Sequence, residues 1–364
     1  MGMLEKALHL PAGRQGDTLK GNHRMKAIVL KGPNDFGVQE VENPVPSPDD
    51  VEIKVFITGI CGTDLSMVRG KSPSVTYPII PGHECVGEIL RAPANSKFKV
   101  GDRVTVFPAV GCGKCDACKT GRIPHCPEAK TVGVLRPGGY FAERIIAHHQ
   151  RVFLLPKEME DAVGAMVEPA AVAVHANRRA GVGKGTKVVV IGGGTIGLLH
   201  SQVARAYGAS PLIISEPIPE RRALARKMGF ELLCDPKEDK LISFVRANMG
   251  MPDVVFDIVG NNKTLVDSVE MLRPDGQLVL IALPHGEGLA IPYRNVFQKE
   301  LRVIGSRTYF LEDFPEAITL LHNQQVHVKP LLGKILPLGR FGEGVELLEK
   351  EPEKYFKILI SPLL

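Results

Sequence analysis

Lys187–Ile191 is a short, wholly apolar run after its first residue, and it breaks directly into Gly192-Gly193-Gly194-Thr195-Ile196-Gly197. A helical pattern then runs from Thr195 to Tyr207. A strand apolar at every position has no face for water, so helices must cover both sides of the sheet that contains it. Leu212–Ser215, Val254–Val259, Gln277–Leu283 and Leu301–Ile304 repeat the pattern, with helix-like Arg222–Met228 and Thr264–Leu272 between them. The alternation predicts an α/β unit built on a doubly wound parallel sheet, the Rossmann arrangement. The turn itself satisfies G-x-G-x-x-G. Gly192 permits the tight turn, Gly194 admits a pyrophosphate to the backbone, and Gly197 lets helix and strand pack closely. Thr195 and Ile196 open a helix whose free N–H groups face the phosphates. Glu216 follows Gly197 by nineteen residues and closes the next strand. There it would accept the adenosine ribose hydroxyls, and a carboxylate in that place repels a 2′-phosphate, favouring NAD over NADP. The alternative is that Glu216 pairs at the surface with Arg221 or Arg222; Arg221 is also taken into the cofactor-binding set.

From Met25 to about Ala176 the texture differs. Short β-like runs (Val51–Ile57, Cys85–Leu90, Asp102–Val106, Phe141–Ile146) lie between Gly and Pro, which suits an irregular antiparallel β domain. At 364 residues two domains are expected, and 44% hydrophobic with 23% charged residues excludes a disordered chain. A net charge of +5 over this length makes no basic stripe, so no nucleic-acid partner is expected. No apolar run approaches the ~20 residues of a membrane span, and the protein is read as soluble and cytoplasmic. The stretch Met1–Arg24 has no apolar core of a secretory signal. It is read as a disordered extension, or Met25 as the true start, with an organellar transit peptide as an alternative.

Seven cysteines are present, an odd number, and Cys112, Cys115, Cys118 and Cys126 are spaced C-x2-C-x2-C-x7-C. Four thiolates this close can wrap one structural zinc tetrahedrally with no position left open. An iron–sulfur cluster would need a different spacing. Cys85 and Cys234 match no motif and read as core residues. A second group is dispersed: Cys61 in Gly59-Ile60-Cys61-Gly62-Thr63-Asp64, His83 and Glu84 in Pro81-Gly82-His83-Glu84, and Glu168 in Met166-Val167-Glu168-Pro169. Spacing alone does not assemble these residues.

Together, in this order, the motifs resemble the zinc-dependent medium-chain dehydrogenase/reductase superfamily from about Met25 to the C-terminus. Glu168-Pro169 and the Ala-Val-His after it are similar to the sorbitol (polyol) dehydrogenase branch, with a likeness also to bacterial L-galactonate dehydrogenase-type enzymes. The resemblance implies catalytic zinc on Cys61, His83 and Glu84, with Glu168 either coordinating or holding the zinc-bound water. It implies two zinc ions per subunit, Thr63 as the hydroxyl that carries away the alcohol proton, and Asp64 orienting the histidine. The family often has a histidine where this chain has Ser66, and the stretch Arg91–Lys99 lacks a usual glycine; Ser66 becomes a substrate-side candidate. Arg307, in Gly305-Ser306-Arg307, is the candidate for gripping a substrate carboxylate, followed by Glu312-Asp313-Phe314. The alternative places Arg307 at the surface or on the cofactor phosphates.

The implied architecture is a GroES-like β domain over 25–176 with the four-cysteine lobe, a Rossmann domain over 177–308, and 309–364 returning to the first domain. The cleft between the domains would hold the site of a homodimer or homotetramer. The implied reaction is oxidation of a secondary alcohol in a polyol, sugar or sugar acid to a ketone. Two other readings compete: a non-enzymatic zinc-ribbon binding protein, and a zinc-free quinone or enoyl reductase of the same fold.

Overall fold

A computed structural model describes residues 24–283 and 288–364. The extension expected over 1–24 therefore lies outside the described residues, Arg24 apart. Two compact units form, one comprising 24–168, Phe310–Ile318 and Leu332–Leu364, the other Pro169–Tyr309 and Thr319–Leu331.

In the first unit, β1 (Arg24–Gly32) and β2 (Asp35–Glu42) make a hairpin. β3 (Asp50–Gly59), β4 (Glu84–Arg91) and β5 (Arg103–Val106) run antiparallel in the main sheet. β6 (Ala109–Val110) and β7 (Lys130–Thr131) pair at the base of the cysteine lobe, while β8 (Arg144–His148) and β9 (Val152–Leu154) return to the sheet on β3 and β5. Along β3 the side chains of Val51, Ile53, Val55 and Ile57 are buried in alternation, the period of a strand with one face on a core. That core contains Cys85, Ile89, Val104, Val106 and Tyr140.

The second unit is an all-parallel six-stranded sheet built from β10 (Val188–Ile191), β11 (Leu212–Ser215), β12 (Leu233–Cys234), β13 (Val254–Asp257), β14 (Gln277–Leu280) and β15 (Arg302–Gly305). Its order is β12-β11-β10-β13-β14-β15. The chain reverses direction of growth beside β10, the place where a doubly wound sheet opens a crevice. Cys234 lies fully buried at the end of β12, and Cys85 is equally enclosed. β16 (Leu332–Pro337) and β17 (Lys357–Ser361) complete the first unit, where β17 pairs with β3.

Unit boundaries differ from the expected 177 and 309. The helix Val167–Arg179 is continuous, and Ala176 and Ala180 pack with Val188 and Val190, so the second unit claims the chain from Pro169. Thr319–Leu331 also belongs to it, fastened by the His327 N–H donating to the Gln202 side chain at 2.7 Å. The expected strand Phe141–Ile146 is shifted to Arg144–His148; Phe141 and Ala142 instead serve the β1 side through a single bridge to Ala27. Among the described residues no helix is long and apolar enough to cross a membrane.

Candidate metal and dinucleotide sites

β3 ends at Gly59 and the chain turns through Ile60 into Cys61, which caps the helix Gly62–Val68. The cap is closed by the Cys61 N–H donating to Asp64 Oδ2 at 2.9 Å. The antiparallel register sets Gly59 opposite Glu84, so the two strand ends deliver Cys61, His83 and Glu84 to one place. Gly59 has to be glycine, because a Cβ there would stand 2.1 Å from a Glu84 carboxylate oxygen. The ligating atoms of Cys61, His83 and Glu84 all lie within 4.8 Å of one another.

The surroundings are nearly dry. Glu84 and Asp64 are buried outright, His83 almost so, and Cys61 keeps partial exposure. His83 Nδ1 lies 3.9 Å from Asp64 Oδ1, and neither atom has a hydrogen-bond partner. Burial pushes the Asp64 carboxyl up to about 6 against the opposing pull of His83. Burial also favours neutral His83, but contact with the Cys61 thiol and the charge of Asp64 outweigh it and hold the imidazole well above its usual value. Glu168, in the first turn of the helix Val167–Arg179, is buried and its charge acts on His83, yet it stands outside the 4.8 Å group.

A residue that sequence reasoning missed completes this group. Lys357, the first residue of β17, places Nζ 2.7 and 2.9 Å from the two Glu84 oxygens and 3.1 Å from the Ile60 carbonyl. Both Glu84 oxygens, read from sequence as metal ligands, are thus engaged by a buried ammonium. The two residues are 273 positions apart, and only the pairing of β17 with β3 brings them together. Thr63 Oγ1 is 3.8 Å from Cys61 Sγ. Ser66 donates its hydroxyl to the Gly62 carbonyl at 3.1 Å, one helical turn back.

Thiol, imidazole and carboxylate donors suit zinc, and this set fits one. The His83 ring has Nδ1 toward Asp64, as a metal-bound histidine has toward the carboxylate that orients it. The four-cysteine lobe fits a second ion in another way. The sulfurs of Cys112, Cys115, Cys118 and Cys126 also lie within 4.8 Å of one another, with no carboxylate or histidine among them. None of the described cysteines is in a disulfide. The N–H groups of Lys114 and Cys115 lower Cys112 to about 7, while desolvation pushes Cys118 up to about 12. Four sulfurs so placed can surround one cation. At Gly111 a Cβ would come 2.4 Å from Cys118 Sγ, so the loop is wrapped tightly on its sulfurs. His125 meets the Phe310 ring edge-on at 5.0 Å, tying the lobe to the returning segment.

In the second unit Gly192 adopts φ +108°, and a Cβ on Gly197 would lie 1.8 Å from the Gly192 carbonyl oxygen. The turn and the close approach each require glycine. Gly194 caps the helix Thr195–Ala206 and its side-chain space opens toward Arg221. Glu216 directly follows β11 and is buried at 3% exposure, so the ion pair that it makes with Arg221 is not a surface one. Its carboxylate accepts the Gly193 N–H at 2.7 Å and the Ile218 N–H at 2.9 Å, while Arg221 approaches to 3.8 Å. These residues fit a dinucleotide: a glycine cradle free of side chains, and one buried carboxylate locked at the end of the neighbouring strand.

Arg307 is exposed, and Ser306 before it is buried with an unpartnered hydroxyl. The motif Glu312-Asp313-Phe314 serves the fold: Asp313 accepts the Phe310 N–H at 2.6 Å, and Phe314 packs on Phe107 and Phe153.

Residues 47–157 match the family model of the alcohol dehydrogenase GroES-like domain, and 195–323 that of the zinc-binding dehydrogenases. An uncharacterized zinc-type alcohol dehydrogenase-like protein of Haemophilus influenzae is 34% identical over 92% of this chain and 98% of its own. Sorbitol dehydrogenase of Bacillus subtilis is 30% identical, covering 93% and 97%. L-galactonate-5-dehydrogenase of Escherichia coli is 32% identical, covering 88% and 94%. Among solved structures, a zinc-binding dehydrogenase of Sinorhizobium meliloti bound to NADP superposes with a TM-score of 0.85 at 30% identity, covering 94% and 100%.

Proposed function

The chain belongs to the zinc-dependent medium-chain dehydrogenase/reductase superfamily, in its polyol dehydrogenase branch, and from that premise we propose that it oxidises a secondary alcohol of a polyol or sugar acid to a ketone, with NAD as hydride acceptor. One observation supports this most: Cys61, His83 and Glu84 meet in a dry pocket with Cys61 still partly exposed, whereas the four cysteines have only one another. A zinc ion held by Cys61 and His83, with carboxylate help from Glu84 or Glu168, would lower the proton affinity of the alcohol oxygen, and the nicotinamide would accept the hydride.

The chain's own residues supply the rest. Cys61 and His83 sit at the ends of paired strands, so their separation is fixed before substrate arrives. Thr63 Oγ1, beside the Cys61 sulfur, takes the hydroxyl proton from the alcohol and passes one on toward solvent. Lys357 neutralises Glu84 and keeps a buried carboxylate from standing uncompensated. Glu168 adds negative charge near His83 without sharing the tight donor group.

Glu216 supports NAD, because a 2′-phosphate would meet a buried carboxylate already fixed by two N–H donors. The sugar-acid lean rests on the likeness to L-galactonate-5-dehydrogenase and on Arg307, whose exposed guanidinium is available to a carboxylate. A homodimer or homotetramer is part of this reading; the edge strand β15 and the exposed Tyr293 and Phe297 support it. The non-enzymatic zinc-ribbon reading falls to the full-length likeness to dehydrogenases.

Formation of reduced dinucleotide from a panel of polyols, aldonates, uronates and amino alcohols tests the proposal. Turnover confined to secondary alcohols of polyhydroxylated chains is the expected result. Turnover only of simple primary alcohols, or none with any panel member in zinc-loaded protein, would overturn it.

A further inference from the structure

Away from the donor group, the first unit has a cavity of about 80 Å³ whose polar wall carries Arg136, Arg144 and Arg151 against a single carboxylate, Asp50. Arg144 is already satisfied, its Nη1 donating to Glu52 at 2.8 Å. The other two are not. Arg151 donates to the Phe107 carbonyl at 3.1 Å; among the described residues no carboxylate lies within ion-pair distance of Arg151, and Arg136 has no side-chain hydrogen bond or ion pair. Asp50 Oδ2 meanwhile accepts the Ser47 N–H at 3.0 Å. Behind Arg151 lies Tyr140, 1% exposed, whose hydroxyl adjoins the guanidinium. Burial lowers the proton affinity of Arg151 and the like charge of Arg136 adds to it, against the opposing pull of Tyr140 and Asp50.

Two guanidinium-bearing side chains line one small cavity with neither paired to a carboxylate among the described residues, so they repel each other and keep donors of their planar forks to spare. Nothing in the proposed dehydrogenase chemistry uses them. We propose that this cavity is an oxyanion-binding site, taking a phosphate or carboxylate group between Arg136 and Arg151. Its size admits such a group and not a whole sugar or nucleotide. The apolar wall of Met25, Pro44, Ile80 and Val132 would then meet the body of a ligand whose anionic head enters the cavity. Inorganic phosphate and an organic phosphomonoester share the chemistry of the head; only the second would use the apolar wall.

The test is thermal unfolding of zinc-loaded, NAD-saturated enzyme titrated with inorganic phosphate, with chloride at matched ionic strength as reference, in wild type, Arg136→Gln and Arg136→Lys. NAD saturation removes phosphate binding at the glycine turn. Wild type should show a saturable rise in Tm with phosphate beyond that with chloride. Arg136→Gln should start about 2 °C higher without phosphate, since one of two repelling charges is gone, and should need at least tenfold more phosphate for the same rise. Arg136→Lys should keep the charge repulsion but bind more weakly than wild type, because it loses the fork. Glycerol 3-phosphate in a parallel titration separates the ligand sources: tighter binding than inorganic phosphate assigns the apolar wall to an organic body, and equal binding restricts the site to the free anion. No Tm response beyond chloride in wild type, or equal responses in wild type and Arg136→Gln, would overturn the assignment.

Discussion

The two sulfur-bearing centres of this protein are built in opposite ways. Cys112, Cys115, Cys118 and Cys126 come from one loop, are mostly half-exposed, and hold one another with little help from the core. Cys61, the adjacent His83 and Glu84, Glu168 and Lys357 come from four places along the chain, and all but Cys61 are buried. A contiguous set can shape only the loop that contains it. A dispersed set inherits the rigidity of the sheet that assembles it, and a small displacement of any strand would spoil it. On the reading proposed above the first centre gives shape and the second chemistry, and mutations should separate the two.

The largest separation is expected from Cys61→Ala. Turnover should fall by on the order of 10³-fold or more, matching the several kcal/mol that an open metal site supplies, with unfolding almost unchanged. Cys115→Ala should do the reverse. Its Tm should drop by roughly 10 °C, because a lobe without its own core loses the ion that folds it, and residual turnover should track the folded fraction. Equal stability losses in both variants would erase the distinction.

Lys357→Met sharpens the point that the dispersed centre depends on the sheet. It leaves Glu84 as a buried carboxylate without its partner, a defect that costs about 3–5 kcal/mol in comparable pairs. Urea unfolding measures it, and a cost near zero would mean that Glu84 is neutralised by something else. The double variant Lys357→Met with Glu84→Gln should recover a large part of the loss. The smallest effect is expected in the second unit. Glu216→Ala should reduce the preference for NAD over NADP by about 1–3 kcal/mol, the range for a buried polar group left unpaired, read as the ratio of kcat/KM for the two cofactors. A wild-type preference for NADP would contradict the role given to Glu216.

The same contrast decides what could be read before the structure. The four-cysteine lobe was legible from spacing alone, and the Rossmann unit from its valine and isoleucine runs, because both are encoded by near neighbours. The dispersed donors became legible only through the family likeness. Lys357 was not legible at all: inside the β-like run Phe356–Ile360 it reads as one more lysine until the register of β17 on β3 is known. β2 and β16 were missed for a simpler reason. Each shows mostly exposed or half-exposed side chains, so no apolar periodicity marks it. The Glu312-Asp313-Phe314 motif shows the opposite failure, where neighbours in sequence suggested one role. Phe314 turned out to be core and Asp313 a local hydrogen-bond acceptor.

Zinc content per chain, measured in fully loaded wild type and in the two cysteine variants, addresses the central claim most directly. Two separable centres require two zinc ions in wild type and one in each variant. In Cys61→Ala the remaining ion should sit in the lobe, and in Cys115→Ala at Cys61 and His83. Fewer than two ions in wild type, or loss of both ions from Cys61→Ala while it stays folded, would contradict the account.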